Sequence, residues 1–251
     1  MSGHSKWSTI KRKKGAKDAQ RSRIWSRQIR EITIAAREGG GDPNTNARLR
    51  TAILAAQGSN MPKDTMERAV KRGTGELEGV IYEEIEYEGY GPGGVAVLVE
   101  TQTDNRNRMA AEIRHVFARY GGKLGGAGSV AFLFSRVGQI VLDAGRCDMD
   151  TAMEAAIDAG AQDVTDGEGE IVVTTAQDAL QQVAQALQSA GLPVVSAEVA
   201  RVASTAVRVT GKDAESLLKL INALDELDDV ANVSANFDVD DAELKALNES
   251  L

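Results

Sequence analysis

Close to residue 75 the spacing of apolar side chains changes period, and this change constrains the fold more than any other feature of the sequence. Before it, apolar residues recur every three to four positions, the spacing of amphipathic helices. After it, short alternating runs separated by glycine-rich turns read as strands, with helical segments between them. A chain of 251 residues patterned in this way is an α+β protein of more than one domain.

The first helix is read over residues 21–38 and ends at Gly39-Gly40-Gly41. Trp25, Ile29, Ile32 and Ala36 fall within about 60° of arc and form its apolar stripe. Arg23, Arg27, Arg30 and Arg37 lie within about 80° on the other side, which Ile34 interrupts. A second helix follows over 46–57. A third begins at Pro62, with Asp64 and Glu67 early, Lys71 and Arg72 late, and Gly73 as its stop.

Beyond Gly79, strands are expected at 82–88 and 95–101, a helix capped by Asp104, and a strand at 130–134. Residues 138–202 then read strand, helix, strand, strand, helix, strand: the βαββαβ order of a ferredoxin-like unit. A strand (205–209), a helix (213–227), a strand (230–237) and a terminal helix close the chain. The expected architecture is a three-helix N-terminal domain followed by two α/β sandwich-like domains, the ferredoxin-like one inserted into the other. The boundaries are 1–77 for the helical domain, 78–135 plus 204–251 for the discontinuous one, and 136–203 for the insert. The pieces before 135 and after 204 are expected to share one sheet.

Charge separates along the same line. Residues 1–75 carry 17 Lys/Arg against 6 Asp/Glu, a net of +11; the remainder carries 12 against 31, a net of −19. Such asymmetry marks a basic, nucleic-acid-facing module on an acidic body. His4, Lys6, Trp7, Lys11, Arg12, Lys13, Lys14 and Lys17 form a basic arm with almost no aliphatic side chains. Its cations suit phosphate contacts, and Trp7 either stacks on a base or staples the arm to the helices. The arginine stripe, about 21 Å long from Arg23 to Arg37, could follow a phosphate backbone. An ordinary solvated helix face mixes signs, and this one carries four arginines with no acid in line. Nucleic acid, DNA or ribosomal RNA, is therefore the expected partner.

Catalytic readings find no support. There is no Walker A pattern, and the glycines from Gly121 to Gly128 lead from helix to strand, the reverse of a dinucleotide fold. Cys147 opens a helix but has Asp148 and Asp150 beside it, which disfavour a thiolate. His115 reads as a surface residue. Asp225, Glu226, Asp228 and Asp229 lack the glycine and spacing of a calcium loop and read as a solvated turn, with a divalent cation as the weaker alternative. Phe132 and Phe134 read as core. One cysteine and two histidines leave no multi-cysteine or histidine-rich metal site. No apolar run approaches the roughly 18 residues of a membrane helix, and the first 30 residues lack the apolar stretch of a secretory signal. The expectation is a cytoplasmic monomer with no catalytic site, metal, cofactor, membrane contact or small-molecule substrate.

Several short motifs resemble the YebC/PmpR family. They are Gly3-His4-Ser5-Lys6-Trp7 with Ile10-Lys11, Arg30-Glu31-Ile32, Gly39-Gly40-Gly41-Asp42-Pro43, Asn46 with Arg48-Leu49-Arg50, and Asn60-Met61-Pro62-Lys63-Asp64. Further along are Thr103-Asp104-Asn105-Arg106-Asn107-Arg108, Gly126 with Gly128-Ser129-Val130, and Leu227-Asp228-Asp229-Val230. Gln102 stands where the family usually has an aliphatic residue, and Trp25 where it has a smaller one. The resemblance implies three domains, the middle one discontinuous, and a non-enzymatic regulator of gene expression. It implies first a DNA-binding transcriptional regulator, and as the alternative a ribosome-associated translation factor or translational activator that binds RNA.

Overall fold

The computed structural model describes residues 18–167 and 169–250; the arm residues His4 to Lys17 lie outside them. The chain divides into two compact units, residues 18–129 with 212–233, and residues 130–211 with 234–250.

The first unit opens with helices α1 (Asp18–Gly39), α2 (Ala47–Gly58) and α3 (Lys63–Gly73). Their shared core is made of Ile32, Ala35, Ala36, Leu49, Ala52, Ala56, Met61, Met66 and Ala69, with Trp25 and Ile29 half-buried against it. The apolar stripe read from the sequence is therefore the buried one, and the Trp25 indole N–H donates to the Ser59 carbonyl at 3.2 Å. Small residues let the helices approach closely: a Cβ on Gly73 would stand 2.4 Å from the Thr33 carbonyl oxygen.

Asn46 joins α1 to α2. Its side chain accepts the Leu49 N–H at 3.0 Å, capping α2, and donates to the Ala35 and Gly40 carbonyls at 2.7 and 2.8 Å. Asn46→Ala is expected to cost about 2 kcal/mol: the cap is lost, and with it the amide's bonds to the Ala35 and Gly40 carbonyls. Asn46→Asp keeps the cap but turns a carboxylate oxygen toward those carbonyls, so it should be at least as damaging. Urea unfolding of both variants is the test, and native-like stability of Asn46→Asp would refute this account.

Strands β1 (Glu83–Tyr90) and β2 (Ala96–Thr103) form an antiparallel hairpin in register from Glu83↔Thr103 to Tyr90↔Ala96. Its turn needs Gly93 and Gly94, both at positive φ (71° and 75°). Helix α4 (Arg106–Arg119) is capped by Asn105, one residue after the expected Asp104, and buries Met109, Ile113, Val116 and Phe117. Strand β3 (Lys123–Leu124) follows. Helix α7 (Gly211–Asp225) and strand β9 (Val230–Ala235) arrive from the far end of the sequence. The sheet order is β3-β1-β2-β9, so segments before 135 and after 204 do share a sheet. β2 is buried at almost every residue, as a strand covered on both faces must be.

The second unit is built on β4 (Phe134–Asp143), α5 (Met149–Asp158), β5 (Asp163–Gly167), β6 (Glu170–Thr175), α6 (Leu180–Ser189) and β7 (Val194–Ala203). Its order is β5-β6-β4-β7 with every pairing antiparallel, the arrangement expected of the βαββαβ unit. Ile140, Leu142, Ile171 and Val173 form the helix-covered face, closed by Ala152, Ala156, Val183 and Leu187. A short parallel pair, β8 (Val207–Arg208) with β10 (Phe237–Asp238), precedes the terminal helix α8 (Asp241–Ser250).

Two local expectations are corrected here. Residues 131–133 form a 3-10 turn in place of most of the strand expected at 130–134, and the strand expected at 138–143 begins earlier, at Phe134. Pairing with β7 from Phe134↔Ala203 onward carries the strand through Ser135-Arg136. Phe134 is buried as expected, whereas the turn leaves Phe132 75% exposed.

Candidate nucleic-acid interface

Helix α1 carries the arginine stripe opposite its core-facing side, and the structure places a partner along it. Asp225 ends α7, and residues 226–229 link it to β9. The Arg27 guanidinium lies 3.3 Å from the Asp225 carboxylate and also donates to the Asp225 carbonyl. Arg30 lies 3.4 Å from Asp229 and donates to the Asp228 carbonyl. Arg23 stands 3.9 Å from Glu226 in a pair open to solvent, with side chains 47% and 69% exposed. Arg37 is exposed and donates to the Tyr82 carbonyl at 2.6 Å. Arg27 and Arg30 are largely covered, at 25% and 11% side-chain exposure.

The acidic cluster, read from the sequence as a solvated turn, is thus the counterpart of the arginine stripe. Asp229 is its central member. Its second carboxylate oxygen accepts from the Thr103 hydroxyl at 2.7 Å and from Arg108 at 2.6 Å. Its carbonyl accepts the Gln102 N–H at 2.8 Å. Arg108 also bonds Asp104 at 2.8 Å, and these two carboxylates raise its pKa above the usual arginine value. The motifs Thr103 to Arg108 and Leu227 to Val230, far apart in sequence, therefore meet at one carboxylate.

A second ionic group lies between the helices and the hairpin. Arg48 grips Glu31 with two bonds of 2.7 and 3.0 Å, and also reaches Glu84 at 2.6 Å and Glu38 at 2.7 Å. Burial opposes its charge, but the hydrogen bonds to Glu31 and Glu84 prevail and its pKa is raised. Gln102, the residue that departs from the family pattern, donates to Glu31 at 2.5 Å.

Sequence reasoning missed these partners because Arg27 and Asp225 are 198 positions apart. The one available signal was Ile34: an aliphatic residue on the basic side, 1% exposed, shows that this side is covered. On the outer side of α3, Arg68, Lys71 and Arg72 are exposed, and among the described residues no carboxylate forms an ion pair with them.

Cys147 is half-buried, with its thiol 3.4 Å from the Asp143 carbonyl. Burial, then Asp148 and Asp143, pushes the thiol above its ordinary pKa, away from a nucleophile's range. His115 is exposed. Among the described residues no group of three or more His, Cys, Asp or Glu is placed to hold a metal, and no helix is long and apolar enough to cross a membrane.

The helical module is braced by ion pairs against the acidic segment 225–229 and the β1–β2 hairpin. Residues 5–76 match the TACO1/YebC protein N-terminal domain, and residues 82–237 match the TACO1/YebC second and third domain. The chain belongs to the TACO1/YebC family. It is 56% identical over 247 residues to a probable transcriptional regulatory protein of Acidithiobacillus ferrooxidans, covering 98% of each chain. It is 53% identical to one of Geobacter sulfurreducens, covering 98% of this chain and all of the relative. The crystal structure of a conserved hypothetical protein from Aquifex aeolicus matches with a TM-score of 0.85 at 46% identity, covering 89% of this chain and 93% of that one. Both relatives carry the name probable transcriptional regulatory protein.

Proposed function

We propose that this chain is a cytoplasmic, monomeric, DNA-binding transcriptional regulator that works without catalysis, cofactor or metal. The observation that carries the reading is the charge split, +11 against −19, dividing at the junction between helices and strands. In this reading residues 1–77 are the binding domain. Residues 78–135 with 204–251, and the insert 136–203, form an acidic body that phosphates repel, so the molecule approaches DNA with its basic domain inward. His4, Lys6, Trp7, Lys11, Arg12, Lys13, Lys14 and Lys17 make the first contacts. Arg23, Arg27, Arg30 and Arg37 are a second set, three of them held by the chain's own carboxylates. The names of the relatives support the regulatory role.

The test is binding of a 20-base-pair duplex against salt, for the native chain and for the variant Lys11→Gln/Arg12→Gln/Lys13→Gln/Lys14→Gln. Each lost phosphate contact should lower the magnitude of the salt slope by about 0.9, so the variant should lose about 3.6 and bind far more weakly. Unchanged affinity and slope would remove the arm from the interface. Preferential competition by ribosomal RNA at physiological salt would overturn DNA as the ligand.

A further inference from the structure

We infer that the Arg23–Arg27–Arg30 face of α1 is a phosphate-binding surface closed by the chain's own loop 225–229, which competes with the nucleic-acid backbone for it. The inference rests on the nucleic-acid reading above and adds how access to the surface is controlled.

Three observations carry it. The first is chemical likeness. Three arginines, four and three residues apart on one helix, each face a carboxylate from one short acidic segment: Glu226, Asp225 and Asp229 in that order. An anionic polymer would present the same charge to the same donors.

The second is the looseness of the charge pairing. These carboxylate distances are 3.9, 3.3 and 3.4 Å. Charge-assisted bonds usually measure about 2.7–2.9 Å. The unit does make such bonds elsewhere: Arg48 holds Glu31 at 2.7 Å and Arg108 holds Asp229 at 2.6 Å. At Arg27 and Arg30 the close bonds go to the Asp225 and Asp228 carbonyls, while the carboxylate charges facing the stripe stay loosely paired.

The third is an unmet donor. The Arg27 Nε is buried and has no hydrogen-bond partner among the described residues, although the guanidinium touches both the carboxylate and the carbonyl of Asp225. A buried donor left unpaired is costly, and a phosphate has the additional acceptor oxygens to satisfy it. The segment neutralises the stripe without saturating it, as an internal competitor would.

The consequence is a threshold. Isolated phosphates or small anions at physiological salt cannot displace three linked carboxylates, whereas a polyanion already held by the arm can. The arm captures, and the stripe engages when the loop yields.

The experiment uses the full-length chain with the 20-base-pair duplex. Asp225→Asn/Glu226→Gln removes the charges facing Arg27 and Arg23 and leaves Asp229 with its Thr103 and Arg108 bonds. If the loop competes, the variant binds about tenfold tighter at low salt, two surface-type ion pairs no longer opposing binding. Its salt slope steepens by up to about 1.8, for two released arginines. Adding Arg23→Gln/Arg27→Gln should abolish the gain. Asp213→Asn/Glu215→Gln, on the same helix α7, removes equal charge and should give none of it. Glu226→Gln alone, at a side chain largely in solvent, cannot unfold the protein and should give part of the gain. A native chain that binds, with no gain in the loop variants, overturns the competitor. So does a gain that the α7 control matches or that survives loss of the arginines. A native chain that does not bind the duplex even at low salt overturns the nucleic-acid reading itself, and this inference with it.

Discussion

Asp229→Ala is expected to lower the thermal midpoint by about 6–12 °C. The Asp229 carboxylate is 13% exposed and serves Arg30, Arg108 and the Thr103 hydroxyl at once. Removing one partner of a buried ion pair costs about 3–5 kcal/mol, because the opposite charge is left without compensation. Arg30 is nearly covered but Arg108 is half in solvent, which brings the expected loss to about 3 kcal/mol. At about 2–4 °C per kcal/mol for a chain of this size, that gives the stated shift. Asp229→Asn keeps an acceptor for Thr103 and should recover part of it. Calorimetric melts decide: a shift within about 2 °C for the alanine variant would show that the carboxylate is not a structural centre.

Gly73→Ala should be comparably damaging for a different reason. The new methyl would sit 2.4 Å from the Thr33 carbonyl oxygen and 2.7 Å from the Ala36 Cβ, with the Arg37 backbone nitrogen at 3.2 Å. Backbone atoms cannot rotate away as a flexible side chain can, so α1 and α3 must separate. Overpacking of this kind costs about 1–3 kcal/mol, and the backbone contact puts the expectation at the upper end. Gly58→Ala is the matched comparison: a Cβ there meets nothing within 4 Å. It should be neutral or slightly stabilising, since alanine is the better helix former. Equal melting of the two variants would refute the packing argument.

What the sequence disclosed followed the range of the interactions involved. Helices α1 to α3 were readable because their signals are local: a 3.6-residue stripe, Pro62, and Gly73 as a stop. The ferredoxin-like order was readable because strands and helices alternate between glycine turns. The corrections arose where distant pairing decides. The strand starts at Phe134 because β7 pairs with it from there, and Phe132 cannot be assigned by alternation once residues 131–133 leave the strand. The arginine stripe and the acidic cluster were each visible, yet a sequence holds no register between residues 198 positions apart. Ile34 alone hinted that the basic side had a cover.

The placement of β9 has a consequence for the order in which the protein can be made. β2 is buried almost throughout, apolar over Ala96–Val99, and sits between β1 and β9. During synthesis β1 and β2 emerge more than a hundred residues before β9, so one side of β2 stays an open edge while the whole ferredoxin-like unit is translated. That unit's own sheet is complete by Ala203 and can close while the earlier hairpin still waits. An unpaired strand edge, half of it apolar, exposed for that interval is a template for association with other chains. The nascent protein is therefore most vulnerable in the period between Thr103 and Ala235, and its first-made sheet is among the last parts to be finished.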